Sequence, residues 1–321
     1  MIAMNIIDII LAVILDYLIG DPRWFPHPII YIGKLISFLE QLVRKYFKNS
    51  TSLKIAGGLI VIIVCFVSFI IPYEILKLTL KVQWVYHILN ILIIWTTIAA
   101  KCLSIEGKKA YYCLKRNDIE DARVKISYIV GRDTSELSEK EIIRADVETI
   151  AENTSDGVIA PLVFALIFGA PFAMLYKGVN TMDSMLGYMN KKYRDIGFFP
   201  AKVDDIFNFI PARLTGILIC ISAPIVHGNI IKSFKIMLRD RKNHKSPNCG
   251  YPESAAAGAM QIQIGGTNIY FGEKVVKPTI GDNIRQLDLE KIDESIKLMY
   301  ASEIALLIFY GCFYLIYIMT K

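Results

Sequence analysis

The sequence predicts an all-α, polytopic integral membrane protein. Two observations carry that reading. Apolar residues make up 54% of the 321 positions and charged residues 21%, against roughly 45–50% and about 25% in a soluble domain. The excess is also concentrated in uninterrupted apolar runs separated by strongly charged stretches. The mean hydropathy of +0.43 agrees. A hydrocarbon slab about 30 Å thick is covered by about 20 apolar residues of helix, which rises 1.5 Å per residue.

Five to six segments meet that requirement. The first, Ile2–Ile19, lacks a basic leader and an A-x-A cleavage site and carries Asp8 and Asp16, so it reads as a retained helix and not a signal peptide. The second, Ile55–Ile71, is expected to stop at Pro72. Val85–Leu103, Val158–Tyr176, Ile210–Ile231 and Ala301–Met319 follow. Gly169-Ala170-Pro171 interrupts the fourth and Pro224 the fifth, so either can be re-entrant or kinked.

The polar segments 104–157, 177–208 and 232–300 are expected to fold with these runs into one membrane-embedded catalytic unit. In 105–155 Ile142, Ile143, Val147 and Ile150 recur at helical spacing. Segment 240–290 holds turn signals at Ser246-Pro247-Asn248, Gly250, Gly265-Gly266 and Gly281-Asp282-Asn283. Loop 34–54 carries Lys34, Arg44, Lys45, Lys48 and Lys54, whereas loop 73–84 carries only Lys77 and Lys81. The positive-inside rule then places the first loop and segment 104–157 in the cytoplasm. Simple alternation would put 177–208 outside despite Lys177, Lys191, Lys192, Arg194 and Lys202. A re-entrant fourth segment resolves that conflict, and a second irregular passage keeps 232–300 inside.

Composition excludes several classes. The net charge of +6 is interleaved in sign and gives no reason to invoke nucleic acid. The six cysteines form no CxxC and no zinc-spaced cluster, and four of them lie in apolar runs where a thiol acts as a small hydrophobe. There is no GxxxxGK[ST] and no GxGxxG, so an ATP site here is neither a P-loop nor a Rossmann site.

Ionisable groups beside apolar runs are costly unless paired or functional, and they mark the candidate site. In VETIAENTSDGVIAPL, helical winding puts Glu148, Glu152 and Asp156 on one face beside Asn153. Such carboxylates repel unless a cation lies between them, so Glu152, Asn153 and Asp156 are candidate Mg²⁺ ligands; a solvated, helix-capping turn is the plain alternative. Asn180, Asp183 and Gly187 share a second helical face. Asp204, Asp205 and Asn208 precede Pro211-Ala212-Arg213, an acid pair with an arginine that can grip a metal-bound phosphate or simply an interfacial cap with a snorkelling Arg. Asp16, Gly20, Asp21, Pro22 and His27 surround the end of the first segment. His244, Asn248 and Glu253 occupy a turn-rich run, and Arg132-Asp133-Thr134 forms another turn able to contact phosphate.

These stretches together resemble a known family. DYLIGDPRWFPHP, IVGRDT, ETIAENTSDGVIAPL, NTMDSMLGY, the DD-x-x-N-x-x-PARL run, and HKSPNCGYPE followed by Gly265-Gly266 and Tyr270 are similar, in that order, to the adenosylcobinamide-phosphate synthases. Those membrane-bound cobalamin-biosynthesis proteins join cobyric acid to aminopropanol or its phosphate. Ser254, Ala257 and Tyr251 depart from the expected Ala, Met and Trp, and none removes an ionisable group. The resemblance implies an ATP-dependent amide ligase of the cell membrane, multi-pass and facing the cytoplasm. A carboxylate is a poor electrophile, so ATP supplies an activated acyl group and Mg²⁺ neutralises the phosphates.

By type, Glu152, Asn153, Asp156, Asp183, Asp204 and Asp205 then suit the metal and Arg132 and Arg213 the phosphates. Asp21, His27, Asn180, Asn208 and Asn248 suit substrate contact. His244 is the candidate base for the amine, with Glu253 as the other. Two other classes compete: an Mg²⁺-dependent intramembrane prenyl- or phospho-transferase, although a repeated D-x-x-x-D is missing, and a transporter or corrinoid-binding subunit.

Overall fold

A computed structural model of the chain describes residues 6–22, 24–270 and 273–320. Residues 2–5 of the first expected segment and Arg23 after it lie outside the described residues. The helices in chain order are α1 (Ile6–Ile19), α2 (Pro28–Tyr46), α3 (Ser50–Thr79), α4 (Gln83–Trp95), α5 (Ala100–Lys115), α6 (Ile119–Ser127) and α7 (Glu139–Asn153). A π turn, Thr154–Ile159, leads into α8 (Ala160–Phe168), α9 (Ala170–Leu186), α10 (Phe198–Phe207) and α11 (Phe209–Ser222). A 3₁₀ turn, Ala223–Val226, precedes α12 (Ile230–Asp240) and α13 (Gly250–Met260). An antiparallel hairpin, β1 (Gln263–Tyr270) and β2 (Glu273–Gly281), comes before the final helix α14 (Glu290–Met319).

Among the described residues, five helical runs are long and apolar enough to cross a bilayer: Ser50–Thr79, Gln83–Lys115, Glu139–Phe168, Phe209–Val226 and Glu290–Ile316. The protein is a multi-pass helical membrane protein with one small sheet. Its boundaries differ from the sequence expectation in four places. Pro72 does not stop the second segment: α3 runs through it to Thr79. Thr96–Ala99 interrupts the third run between α4 and α5. The fourth run is cut at Gly169, whose φ of +89° suits glycine alone, and the helical run before the cut reaches back to Glu139. The described part of α1 is 14 residues, which covers about 21 Å and falls short of the slab. The expected kink at Pro224 is present as the 3₁₀ turn and a left-handed His227 (φ +59°).

Local sequence sets the helix starts. Asn49 Oδ1 accepts the Ser52 N–H at 2.7 Å at the head of α3, and Asn229 Oδ1 accepts that of Lys232 at 2.9 Å at the head of α12. Ser138 and Glu141 form a reciprocal capping box on α7.

The chain's contacts divide it into two compact units. The first comprises residues 1–99 and 160–208, the second 100–159 and 209–321. In the first, α2, α3 and α9 bury Ile36, Ile60, Val64, Met182, Leu186 and the following Ile196. Glycines let these elements approach: a Cβ on Gly57 would lie 2.1 Å from the Ile196 carbonyl oxygen, and one on Gly178 2.4 Å from Ser68 Oγ. In the second, Ser233 Oγ of α12 donates to the Ala255 carbonyl of α13 at 2.9 Å, and Gly258 lies against the Ser233 backbone.

Gly57→Ala should therefore destabilise the protein by about 1–3 kcal/mol, because the obstacle is backbone that cannot rotate away. Gly33→Ala, whose nearest atom is Met185 Sδ at 3.7 Å, should melt like the parent. Paired thermal unfolding curves in detergent check this.

Candidate active site

The site of the second unit is built on α7. Arg144, Glu148 and Glu152 lie four residues apart and share one helical face. Glu148 is 6% exposed. Its Oε1 accepts the Gly265 N–H at 2.8 Å, its Oε2 pairs with Arg132, and Arg144 Nε lies 3.9 Å from Oε1. Asn268 Oδ1 accepts from Arg132 Nη1 and from Arg144 Nη2, each at 2.9 Å. Arg144 also donates to the carbonyls of Gly265 (2.6 Å) and Thr267 (3.0 Å). The start of β1 is thereby fastened to α7. Gly265 (φ +78°) and Gly266 (φ +82°) carry the strand's irregularity at that point.

These contacts frame a cavity of about 220 Å³. Arg132, Glu148, Glu152 and Asn153 form one wall, His244 and Glu253 another, and Asn268 and Lys277 of the hairpin a third. Cys249 Sγ donates to Glu152 Oε1 at 3.0 Å. His244 Nδ1 accepts the Ser246 N–H at 3.0 Å. Its Nε2 lies 3.8 Å from Glu253 Oε1 and 3.3 Å from Lys277 Nζ.

The electrostatics separate the two candidate bases. Burial, and then the Lys277 ammonium, hold the His244 imidazole below its ordinary 6.5. Burial, followed by the charges of Glu148 and Glu152, pushes the Glu253 carboxyl well above 4.5, with Lys277 and Arg132 opposing. Glu253 therefore holds its proton more tightly than a free carboxyl, and His244 holds a second proton less tightly than a free imidazole.

Five predicted residues line this cavity: Arg132, Glu152, Asn153, His244 and Glu253. Asp156 is not among its lining side chains. Its charge still reaches Cys249, whose thiol burial, then Glu152 and Asp156, push up. Arg213 and Asn248 stand outside the lining. Arg213 is stacked on Phe209 and Tyr251, 3.5 and 4.5 Å from the ring centroids, and donates to Asn248 Oδ1 at 3.3 Å.

The first unit holds the other predicted residues. His27 caps α2, its Nδ1 accepting the Ile29 N–H at 3.3 Å, with Asp21 Oδ1 3.5 Å from Nε2. Asn180, Asp183, Asp204, Asp205 and Asn208 gather around α9 and α10. Asp204 Oδ2 accepts from Asn208 Nδ2 at 3.0 Å, and Asn208 Oδ1 accepts the Tyr176 hydroxyl at 2.8 Å. Asp204 Oδ1 is buried and meets no donor at bonding geometry. Burial, then Asp183, push the Asp204 carboxyl up to about 7. Gly187 is required here, since a Cβ would fall 1.9 Å from Asp183 Oδ1.

The sequence reading did not assign roles to Glu148, Arg144, Lys277, Asn268 or Asn243. Glu148 was legible through its spacing to Glu152, and the Gly265-Gly266 pair marked the turn that meets it. Lys277 and Asn268 carry no local signal, because the hairpin alone brings them to the cavity.

Among the described residues no three His, Cys, Asp or Glu side chains converge as a metal cage. The donor chemistry nevertheless suits a hard cation carried in on phosphate, which needs only one or two protein carboxylates. Carboxylates that repel one another line the cavity, and Asp204 keeps an oxygen that no donor meets.

The chain matches the family described as "CobD/Cbib protein" over residues 9–299. It is 66% identical over 308 residues to the "Cobalamin biosynthesis protein CobD" of Clostridium tetani, covering 96% of this chain and 97% of that protein. It is 65% identical over 304 residues to the CobD of Clostridium acetobutylicum, covering 95% and 96%. Identity to the "Cobalamin biosynthesis protein CbiB" of Salmonella typhi is 44% over 308 residues, covering 95% and 97%. No solved structure matches.

Two outcomes follow from the geometry. Glu148→Ala leaves Arg132 and Arg144 beside a void and should cost roughly 3–5 kcal/mol of stability, seen in thermal unfolding. For Glu253, the folded protein keeps the proton to a higher pH than the unfolded chain, so wild type loses stability as pH rises above 4.5 and on through the raised folded value. Glu253→Gln is neutral throughout. The melting temperature of Glu253→Gln relative to wild type should be flat below that pH and climb above it.

Proposed function

The chain belongs to the CobD/CbiB family of cobalamin-biosynthesis proteins, and we propose that it forms an amide bond between (adenosyl)cobyric acid and 1-amino-2-propanol or its O-phosphate at the expense of ATP. The observation that carries this reading is the pairing, in one small cavity, of a buried carboxyl that holds its proton well above the ordinary carboxylate range with the cationic side chains of Arg132 and Lys277. A cavity of about 220 Å³ is below the roughly 300–1,000 Å³ of sites that enclose a drug-sized ligand. It suits the reacting groups, with the corrin ring staying outside.

The reaction we assign runs in two stages. A corrinoid carboxylate attacks the γ-phosphorus of ATP, forming an acyl phosphate and releasing ADP. The amine then attacks the acyl carbon, the C–O bond to phosphate breaks, and inorganic phosphate leaves with the electron pair. The attacking nitrogen must shed protons, and Glu253 takes one. This revises the role of His244: with Nδ1 engaged by Ser246, and Nε2 3.3 Å from the Lys277 ammonium and 3.8 Å from Glu253 Oε1, the ring positions those two groups and the proton transfer falls to Glu253. Arg132 and Lys277 hold the transferring phosphate. Mg²⁺, where bound with ATP, would neutralise phosphate charge; Glu152 with Asn153 would hold it at this cavity, and Asp183 with Asp204 and Asp205 are the corresponding set in the first unit. The site faces the cytoplasm of the cell membrane, where ATP is available.

Incubating the purified protein in detergent with adenosylcobyric acid, each amine and Mg·ATP should yield a corrinoid heavier by the amine less one water, with ADP and phosphate in equal amount. Product formed without ATP consumption would refute the ligase reading. Glu253→Gln should lower turnover at least about tenfold, near 1.4 kcal/mol, and regain rate as pH approaches the amine's own pKa. His244→Gln should lose less and keep the wild-type pH profile; the reverse ranking returns the base to His244.

A further inference from the structure

The helix α12 is amphipathic in an inverted sense. Its inner side, Ser233, Met237 and Asp240, is buried and small or polar apart from the methionine. Its outer side leaves Ile230, Ile231, Phe234 and Leu238 exposed at 42, 66, 37 and 47%. At 3.6 residues per turn these four occupy an arc of about 100°. Lys232, Lys235 and Arg239 fill the adjoining arc, Lys242 follows just past the helix end, and all four are exposed. An apolar stripe beside a basic stripe, both turned away from the protein, is the composition of a helix lying at a lipid surface. In water the apolar stripe would be a standing cost.

Chain connectivity puts this helix at the bilayer edge. The spanning run Phe209–Val226 ends three residues before the Asn229 cap of α12. Those residues, His227 and Gly228 with Asn229 itself, turn the chain sharply: His227 is left-handed, and a Cβ on Gly228 would lie 2.1 Å from the Ala259 carbonyl oxygen. Three residues span at most about 11 Å, so α12 starts within reach of the headgroups. Its charge selects the lipid, since clustered lysines beside a span favour an anionic leaflet.

We propose that α12 lies in the membrane interface, with Ile231, Phe234 and Leu238 among the acyl chains and Lys232, Lys235 and Lys242 on anionic headgroups. The helix also fastens the cavity's hairpin wall. Asp240 Oδ2 accepts the Gly281 N–H at 2.8 Å, Arg239 pairs with Asp282 at 2.9 Å, and Asn243 Nδ2 donates to the Thr279 carbonyl at 2.8 Å. Anionic lipid thereby steadies β2, the strand that carries Lys277.

The test is Phe234→Trp in the full-length protein, reconstituted into phosphatidylcholine–phosphatidylglycerol vesicles, with wild type subtracted to remove Trp24, Trp84 and Trp95. The added emission should be blue-shifted and quenched by bromine on the acyl chains. At equal bromine content, quenching should be stronger with the bromine on phosphatidylglycerol, and Lys232→Gln/Lys235→Gln/Lys242→Gln should abolish that preference. Red-shifted emission quenched only by aqueous iodide overturns the proposal. So does emission reached by neither quencher, with α12 crosslinking between copies. Leu238→Trp repeats the measurement one turn on, and equal quenching by both brominated lipids overturns the anionic assignment.

Discussion

The Glu148 carboxylate holds the candidate site together. It sits inside the protein, where an unpaired charge costs several kcal/mol, so its two oxygens must be met. Arg132 meets one from the loop after α6, and the Gly265 N–H meets the other from the hairpin. Asn268 then ties Arg132 to Arg144. Two separate stretches of chain are thus bound to one residue of α7, and the cavity is the space they leave. Glu148 is neutralised by its arginine and forms one wall of the cavity.

The same scarcity of water sets the chemical character of the site. Two carboxylates close to a third raise the proton affinity of the one buried without its own cation, and that residue is Glu253. His244 responds oppositely, since burial and Lys277 both disfavour a second proton on the ring. A carboxyl and an imidazole in one polar pocket are therefore shifted in opposite directions, the carboxyl toward holding its proton and the imidazole toward losing it.

Membrane embedding links the site to its surroundings. The run Glu139–Phe168 carries Glu148 and Glu152 on its polar half before its apolar half crosses the slab. At the other end of the unit, α12 grips β2 through Asp240 and Asn243 while presenting its apolar stripe outward. The hairpin wall is held between a spanning helix and an interfacial one.

The sequence by itself determined the class of the protein: apolar runs of about the right length can only be satisfied as membrane helices, and their breaks at Gly169 and Pro224 follow from backbone geometry that glycine and proline impose locally. It also determined that Glu148 and Glu152 share a face, because α-helical period is a local property. Pro72 misled, since a helix packed among neighbours tolerates the lost hydrogen bond, and the π turn after Asn153 has no residue signature. Only the tertiary structure decided that Lys277 and Asn268 belong with Arg132, and that the Ser246 N–H takes the Nδ1 lone pair of His244. Those pairings join residues up to 136 positions apart in the chain, and no local spacing records them. The shifts in proton affinity follow the same rule, because they depend on which charges face one another once water has been excluded.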